Sequence, residues 1–296
     1  FVSKLKDLNI TTLDENDNNF GLAIGLGGVG INLLELTKAY TIFSNKGELH
    51  NIRYLSDETS ELERKVFSEE SVYITNEILT QVIRPDFDSC WEFLPQAPKI
   101  SWKTGTSYGN HDAWTIGYDR EYTVGVWLGN LNNEPNKNLV GSWVAAPVLF
   151  DIFNTLQRNK SLKWFDIPAN VGKRLICTES GLPVNENCPH SEEELYIKNR
   201  SNIKKCSWHK KIFIDNLTKK RIPPSLLDKY DYSEETVTFY PSELLKWREE
   251  KGLNVPEIPD FLEINYENTS DIMPKIIYPF QNQKIILDSA ECEKEI

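Results

Sequence analysis

The feature that most restricts the fold is a set of three short β-type segments packed between Lys99 and Leu128. Lys99–Ser107 and Ala113–Tyr118 read as two strands. Asp119-Arg120 is a tight turn. Tyr122, Val124, Val126 and Leu128 then share one face by the two-residue period of a strand. The short connections make these neighbouring strands of one antiparallel sheet.

Helical patterns flank the strands. Asn32–Lys46 begins with an Asn N-cap and Glu35 three residues on, an Asn-based capping box. Leu33, Leu36, Tyr40 and Phe43 give it one apolar face, and Gly47 follows as a stop. Ser71–Val82 carries Ile74, Ile78 and Val82 at four-residue steps. Val144–Leu156 has a stripe of Val148, Leu149, Ile152, Phe153 and Leu156, with Pro147 tolerated in its first turn. These elements predict an α+β fold, an antiparallel sheet flanked by helices.

Composition shifts near Arg158. Residues 159–268 are rich in Pro and in Lys and Glu and lack long periodicity, so they read as an irregular connector. One short helix is expected near Pro241–Lys251, with Gly252 just past its end. From about Ile272 a β-like pattern begins (Ile276, Ile277, Tyr278, Ile285, Ile286, Leu287), the start of a truncated β domain over 269–296. The first domain then spans 1–158.

The net charge of −11 argues against a nucleic-acid or anionic-membrane surface. Phe20–Ile31 and Trp143–Phe153 are shorter than the ~18 apolar residues of a membrane helix, so no membrane contact is expected from this segment. Residue 1 is Phe and the single Met is Met273, which leads to the expectation that the chain is a fragment or processed product.

The motif richest in chemistry is Lys103-Thr104-Gly105-Thr106-Ser107, near the end of the first strand. A Lys-Thr-Gly tripeptide alone is weak. Its context is specific: Asp112-Ala113-Trp114-Thr115-Ile116-Gly117-Tyr118 follows, then Val124-Gly125-Val126-Trp127-Leu128-Gly129. This succession closely resembles the transpeptidase domain of class A penicillin-binding proteins. Gly25–Gly28 with the helix bearing Leu34-Glu35-Leu36 and Ala39-Tyr40 matches the same domain further upstream. Cys177-Thr178-Glu179-Ser180-Gly181-Leu182-Pro183, Cys188-Pro189-His190, Cys206 and His209 resemble the segment after the transpeptidase in the penicillin-binding protein 1C group. Tyr240-Pro241, Trp247 and Gly252-Leu253 resemble the approach to that group's C-terminal domain.

The resemblance implies the second half of a transpeptidase/β-lactamase-like domain. It further implies a serine D,D-transpeptidase that cross-links D-Ala-D-Ala stem peptides in peptidoglycan and is acylated by β-lactam antibiotics. No cofactor is expected. The enzyme would be a bifunctional synthase with an upstream glycosyltransferase, on the periplasmic or extracytoplasmic face, held to the inner membrane by an anchor missing here. In the family, Lys103 would supply positive charge, Thr104, Gly105, Thr106 and Ser107 would bind the substrate, and Thr106 would add a backbone N–H to the oxyanion hole. An edge strand suits this task, because it offers backbone hydrogen bonds to an extended peptide. Gly105 has no side chain to block the approach.

The family nucleophile is a Ser in Ser-x-x-Lys, with a second Ser in Ser-x-Asn. No Ser-x-Asn occurs here. Ser-x-x-Lys occurs at Ser3…Lys6, Ser201…Lys204 and Ser207…Lys210, all misplaced for the family pattern, so the nucleophile is expected upstream of residue 1. Two rivals remain: a D,D-carboxypeptidase or β-lactamase on the same fold, and a non-catalytic penicillin- or peptidoglycan-binding module.

Gly25-Leu26-Gly27-Gly28-Val29-Gly30 is a literal dinucleotide fingerprint, but only Phe20–Ile24 precedes it where a buried strand is required. Cys177, Cys188 and Cys206, with His209, cluster in the connector, while Cys90 and Cys292 stand apart. A disulfide suits an extracytoplasmic setting. Free thiols, or a zinc site of three thiolates and an imidazole, are the alternatives. His50 and His111 lie in polar surroundings and read as surface residues.

Overall fold

The computed structural model describes residues 1–13, 18–84, 99–157 and 163–263. The expected β domain over 269–296 lies outside them. The chain divides into two compact units, residues 1–184 with 188–206, and residues 185–187 with 207–296.

The first unit is built on the expected sheet. Strands β3 (Ser101–Thr106), β4 (Asp112–Tyr118) and β5 (Thr123–Gly129) pair antiparallel in the order β3-β4-β5. Register sets Thr104 opposite Thr115 and Thr115 opposite Val126. Asp119 closes the second turn, its Oδ1 accepting from the N–H groups of Glu121 and Tyr122. This is the Asx-type turn that an Asp in that place favours.

Helices cover both faces. On one, α4 (Ala146–Leu156) buries Leu149, Phe150 and Phe153 against Trp102, Ala113 and Val126. Trp102 and Phe150 meet edge-on, with centroids 5.0 Å apart. Tyr122, Val124 and Leu128 pack against this core with Val126, as their alternation predicts. The expected stripe on α4 is partly displaced: Val148 is exposed and Phe150 is buried in its place. A five-residue π-type turn, Gly141–Ala145, precedes α4 and rotates its start relative to the register read from the sequence.

On the other face lie α2 (Leu33–Ser44) and α3 (Glu69–Thr80). Asn32 caps α2 through its side chain, Oδ1 accepting from the Glu35 N–H at 2.8 Å. The reciprocal half of the capping box is replaced, because the Glu35 carboxylate accepts from the Thr11 hydroxyl at 2.6 Å. Gly47 ends the turn with φ +91°, and its N–H returns to Ile42 O. β1 (Glu48–His50) and β2 (Leu62–Lys65) form a small separate hairpin.

In α3 the four-residue apolar steps do not mark the buried face. Ile78 and Val82 are exposed, while Val72, Tyr73, Asn76 and Thr80 are buried. Asn76 explains the rotation. Its Nδ2 donates to Phe43 O, its Oδ1 accepts from the Tyr118 hydroxyl, and its backbone O accepts from Ser101 Oγ. A buried amide with its hydrogen bonds satisfied ties α3 to α2, β3 and β4.

After α4 comes the hairpin of β6 (Val171–Cys177) and β7 (Ser191–Ile197). The second unit contains β8 (His209–Asp215), β9 (Arg221–Ile222) and β10 (Tyr232–Thr238) in the order β10-β8-β9, followed by α5 (Ser242–Glu250). The connector is therefore built from short strands where the sequence lacked periodicity. Its ladders carry charge on half-buried and exposed positions: Arg174 opposes Glu194, and Lys211 reaches Glu234. Such pairs contribute little each, and they erase the apolar alternation by which strands are recognised. Helix α5 falls where expected, with Pro241 as N-cap and Gly252 at φ +63° beyond its end.

Candidate functional site

Among the described residues, β3 is an edge strand in its sheet. The Ser107 N–H donates to Asp112 O, so the strand bonds β4 through Ser107. By the alternation of an antiparallel ladder, Gly105 and Lys103 also turn their backbone groups inward, and Thr104 and Thr106 turn theirs to the open edge. Consistent with this, the Thr104 carbonyl is reached by the Lys103 ammonium at 2.6 Å.

Side chains alternate with the same period. Lys103 and Gly105 lie on the face of α2 and α3 and are exposed. Thr104 and Thr106 lie on the α4 face. There the Thr106 hydroxyl oxygen accepts from the Gly141 N–H at 3.0 Å. A hydroxyl that accepts one bond still has its own hydrogen to donate. The Ser107 hydroxyl oxygen accepts from the N–H groups of His111 and Asp112, closing the β3–β4 turn.

Gly141 is the member of this site that sequence reading missed. It is buried, and a Cβ there would stand 2.5 Å from Gly105 O, 2.7 Å from Trp114 O and 3.1 Å from Thr104 Cβ. Its carbonyl accepts from Thr115 Oγ1. The preceding loop is clipped to the β3–β4 turn, with Asn110 Nδ2 donating to Leu139 O and the Asn136 N–H to Asn110 O. A single Gly after an Asn-rich loop has no periodic signature, and only the close backbone approach marks it.

The other serine-lysine pairs are not gathered at β3. Ser3 and Lys6 sit exposed on α1 (Val2–Asp7), and the Ser201 hydroxyl accepts from the Ile197 N–H. Ser207 and Lys210 belong to the second unit and are exposed. The glycine run at 25–30 begins in the last turn of a 3-10 segment, Asn18–Leu26, where a dinucleotide site needs a preceding strand. His111 is held by the loop, its Nδ1 2.6 Å from Asn133 O. Among the described residues no helix is long and apolar enough to cross a membrane.

A second cluster joins the β6–β7 hairpin to the segment that follows it. The sulfurs of Cys177, Cys188 and Cys206 lie within 4.8 Å of one another. Burial pushes the Cys177 thiol up. The N–H and hydroxyl of Ser180, the Glu179 N–H and the Cys188 side chain outweigh it and hold the group below the ordinary thiol range. His209 opens β8 in the second unit, where its carbonyl accepts from Asn185 Nδ2.

Residues 8–154 match the family model described as the penicillin binding protein transpeptidase domain. Penicillin-binding protein 1C of Escherichia coli (strain K12) is 32% identical over 192 residues, 64% of this chain and 24% of that protein. Penicillin-binding protein 1A of Clostridium tetani is 27% identical over 234 residues, 71% of this chain and 30% of its own length. The chain thus spans under a third of either relative. The crystal structure of penicillin-binding protein 1A from Haemophilus influenzae matches with TM-score 0.56 at 18% identity, over 67% of this chain and 36% of that one.

Proposed function

We propose that this chain, which belongs through residues 8–154 to the transpeptidase domain family of penicillin-binding proteins, holds the stem peptide during peptidoglycan cross-linking by a serine D,D-transpeptidase. The observation that carries the reading is the open edge of β3, with Lys103, Thr104, Gly105 and Thr106 along it. An extended peptide ending in D-Ala-D-Ala adds to this edge through the outward backbone groups of Thr104 and Thr106. Its free carboxylate meets the hydroxyls of Thr104 and Thr106. The Lys103 ammonium, on the opposite face, supplies positive charge beside the reacting amide.

As the acyl carbon turns tetrahedral, its oxygen gains charge. The Thr106 N–H at the open edge is placed to donate to it, a contact worth roughly 2.7–4 kcal/mol where it has been removed in other enzymes. Ser107 and Gly141 act through the strand: Ser107 closes the turn, and Gly141 fixes the Thr106 side chain. The reading assigns the substrate-holding strand to this chain and the acylated serine to sequence outside it. Stem peptides and β-lactams are the partners, and the extracytoplasmic face is the setting.

In the complete protein, Lys103→Ala should lower the rate of acylation by a fluorescent penicillin by a hundredfold or so, the scale of one lost electrostatic contact. Folding should be preserved, because the side chain is exposed. Unchanged acylation would remove Lys103 from the site. Product analysis separates the rivals: cross-linked dimers support a transpeptidase, and released D-Ala alone supports a carboxypeptidase.

A further inference from the structure

The sulfurs of Cys177, Cys188 and Cys206 form a cluster of three, of which one disulfide would use only two. A disulfide joins two sulfurs at about 2.05 Å and leaves the third as a thiol. Here all three converge, each within 4.8 Å of the others. Thiolates bound to one tetrahedral zinc ion at about 2.3 Å lie roughly 3.8 Å apart. A contraction of an ångström or less in each sulfur pair would complete such a set.

The backbone fixes two of the three. Cys177 ends β6, and its N–H donates to Leu182 O while its carbonyl accepts from Gly181 across a tight turn, with Gly181 at φ +66°. The Cys206 N–H donates to Pro183 O at 2.7 Å, so Cys206 is strapped to the segment that closes this turn. The N–H groups of Glu179 and Ser180 are directed at the Cys177 sulfur. Donors aimed at a thiolate orient and stabilise it as a ligand, as second-shell groups do in metal sites.

The hairpin also lacks a core of its own. Among the described residues from 163 to 206, the buried ones are Val171, Ile176, Cys177 and Cys206, and two of those four are cysteines. β7 carries Glu192, Glu193 and Glu194 in succession and shows no buried side chain. A segment with so little apolar burial needs a cross-link to hold one structure. A thiolate-bound ion supplies that energy directly, because the site exists only in the folded chain.

We propose that Cys177, Cys188 and Cys206 hold a structural zinc ion that staples the β6–β7 hairpin. Soft thiolates in a closed tetrahedral site select zinc among the abundant divalent cations. Each thiol loses its proton to solvent as the ion binds. The set read from the sequence adds His209, three residues after Cys206.

The test uses the 296-residue chain purified without added metal or chelator. Elemental analysis should find about one zinc per chain. Alkylation with peptide mapping should find Cys177, Cys188 and Cys206 protected until a chelator is added. Cys177→Ser and Cys188→Ser should reduce bound zinc to near zero, while Cys90→Ser should leave it unchanged. If the serine variants fail to fold, cobalt exchanged into the unsubstituted chain should show a thiolate-to-cobalt charge-transfer band. Three results would overturn the proposal: a disulfide mapped between any two of the three cysteines in metal-free protein, a reduced chain that takes up neither zinc nor cobalt, or zinc content that survives both substitutions.

Discussion

Gly141→Ala is the sharpest single perturbation of the site, because its effect follows from distances alone. Gly141 does not need a left-handed backbone, so the cost of a methyl group is steric. The added Cβ would stand 2.5 Å from Gly105 O and 2.7 Å from Trp114 O, both backbone atoms within the sheet. Neither can move without shifting β3 or β4. Overpacking a filled site costs about 1–3 kcal/mol. Displacing the turn also breaks the bond from the Gly141 N–H to Thr106 Oγ1, worth about 1 kcal/mol. The sum, about 2–4 kcal/mol, is a large share of a typical domain stability of about 5–15 kcal/mol. It should lower Tm by roughly 5–15 °C. Gly30→Ala is the control, because a Cβ there meets nothing within 4 Å, and its cost should stay within about 0.5 kcal/mol. Urea and thermal unfolding of both variants measure the difference. Equal stability for the two would show that Gly141 does not seat on β3, and the account of Thr106 would fail with it.

Two further outcomes follow from buried polar groups. Asn76→Ala orphans the Tyr118 hydroxyl and Phe43 O and should cost roughly 2–4 kcal/mol. Adding Tyr118→Phe should cost less than the two single changes combined, and strict additivity in urea unfolding would contradict the shared bond. In the second unit, the hydroxyl and N–H of Thr218 and the Leu217 N–H hold the Asp215 carboxyl below the usual carboxylate range, against the effect of burial. A carboxyl depressed on folding adds stability above its unfolded pKa and loses it as pH falls through the lower folded value. Thr218→Val should therefore make acid destabilisation of this unit shallower, and an unchanged pH profile would refute the linkage.

Local rules made α2 and α5 legible. An Asn or Pro at one end and a Gly beyond the other mark where backbone groups need outside partners, and those residues sit at the observed caps. Strand β5 was legible because the apolar period of Tyr122, Val124, Val126 and Leu128 matches the face that meets α4. Helix α3 was misread for the opposite reason. The apolar residues at 74, 78 and 82 have the right spacing, but the face is chosen by Asn76, whose side chain bonds Phe43 O and the Tyr118 hydroxyl and whose backbone carbonyl accepts from Ser101. Apolar periodicity has no weight for such a residue. Strands β6, β7, β8 and β10 were missed because their ladders are lined by Lys, Arg and Glu, which stabilise exposed strands in pairs across neighbouring segments. A pairing between segments about twenty residues apart leaves no local pattern.

The site shows the same division between local and non-local information. Lys103-Thr104-Gly105-Thr106 could be picked out and placed on a strand, because residue type and a two-residue period are local. Which of its backbone groups face an incoming peptide is not local. It depends on the pairing of Ser107 with Asp112, since a slip of one residue would exchange the inward and outward sets and move every side chain to the other face. The register is held by Ser107, whose hydroxyl takes the N–H groups of His111 and Asp112, and by Gly141, which fits only against Gly105 and Trp114 as they now stand. The residues that would touch substrate are therefore short, recognisable and useless without the turn and loop that fix their parity. That dependence is why a substitution at Gly141, a residue assigned no contact with the peptide, should disturb peptide binding as well as stability.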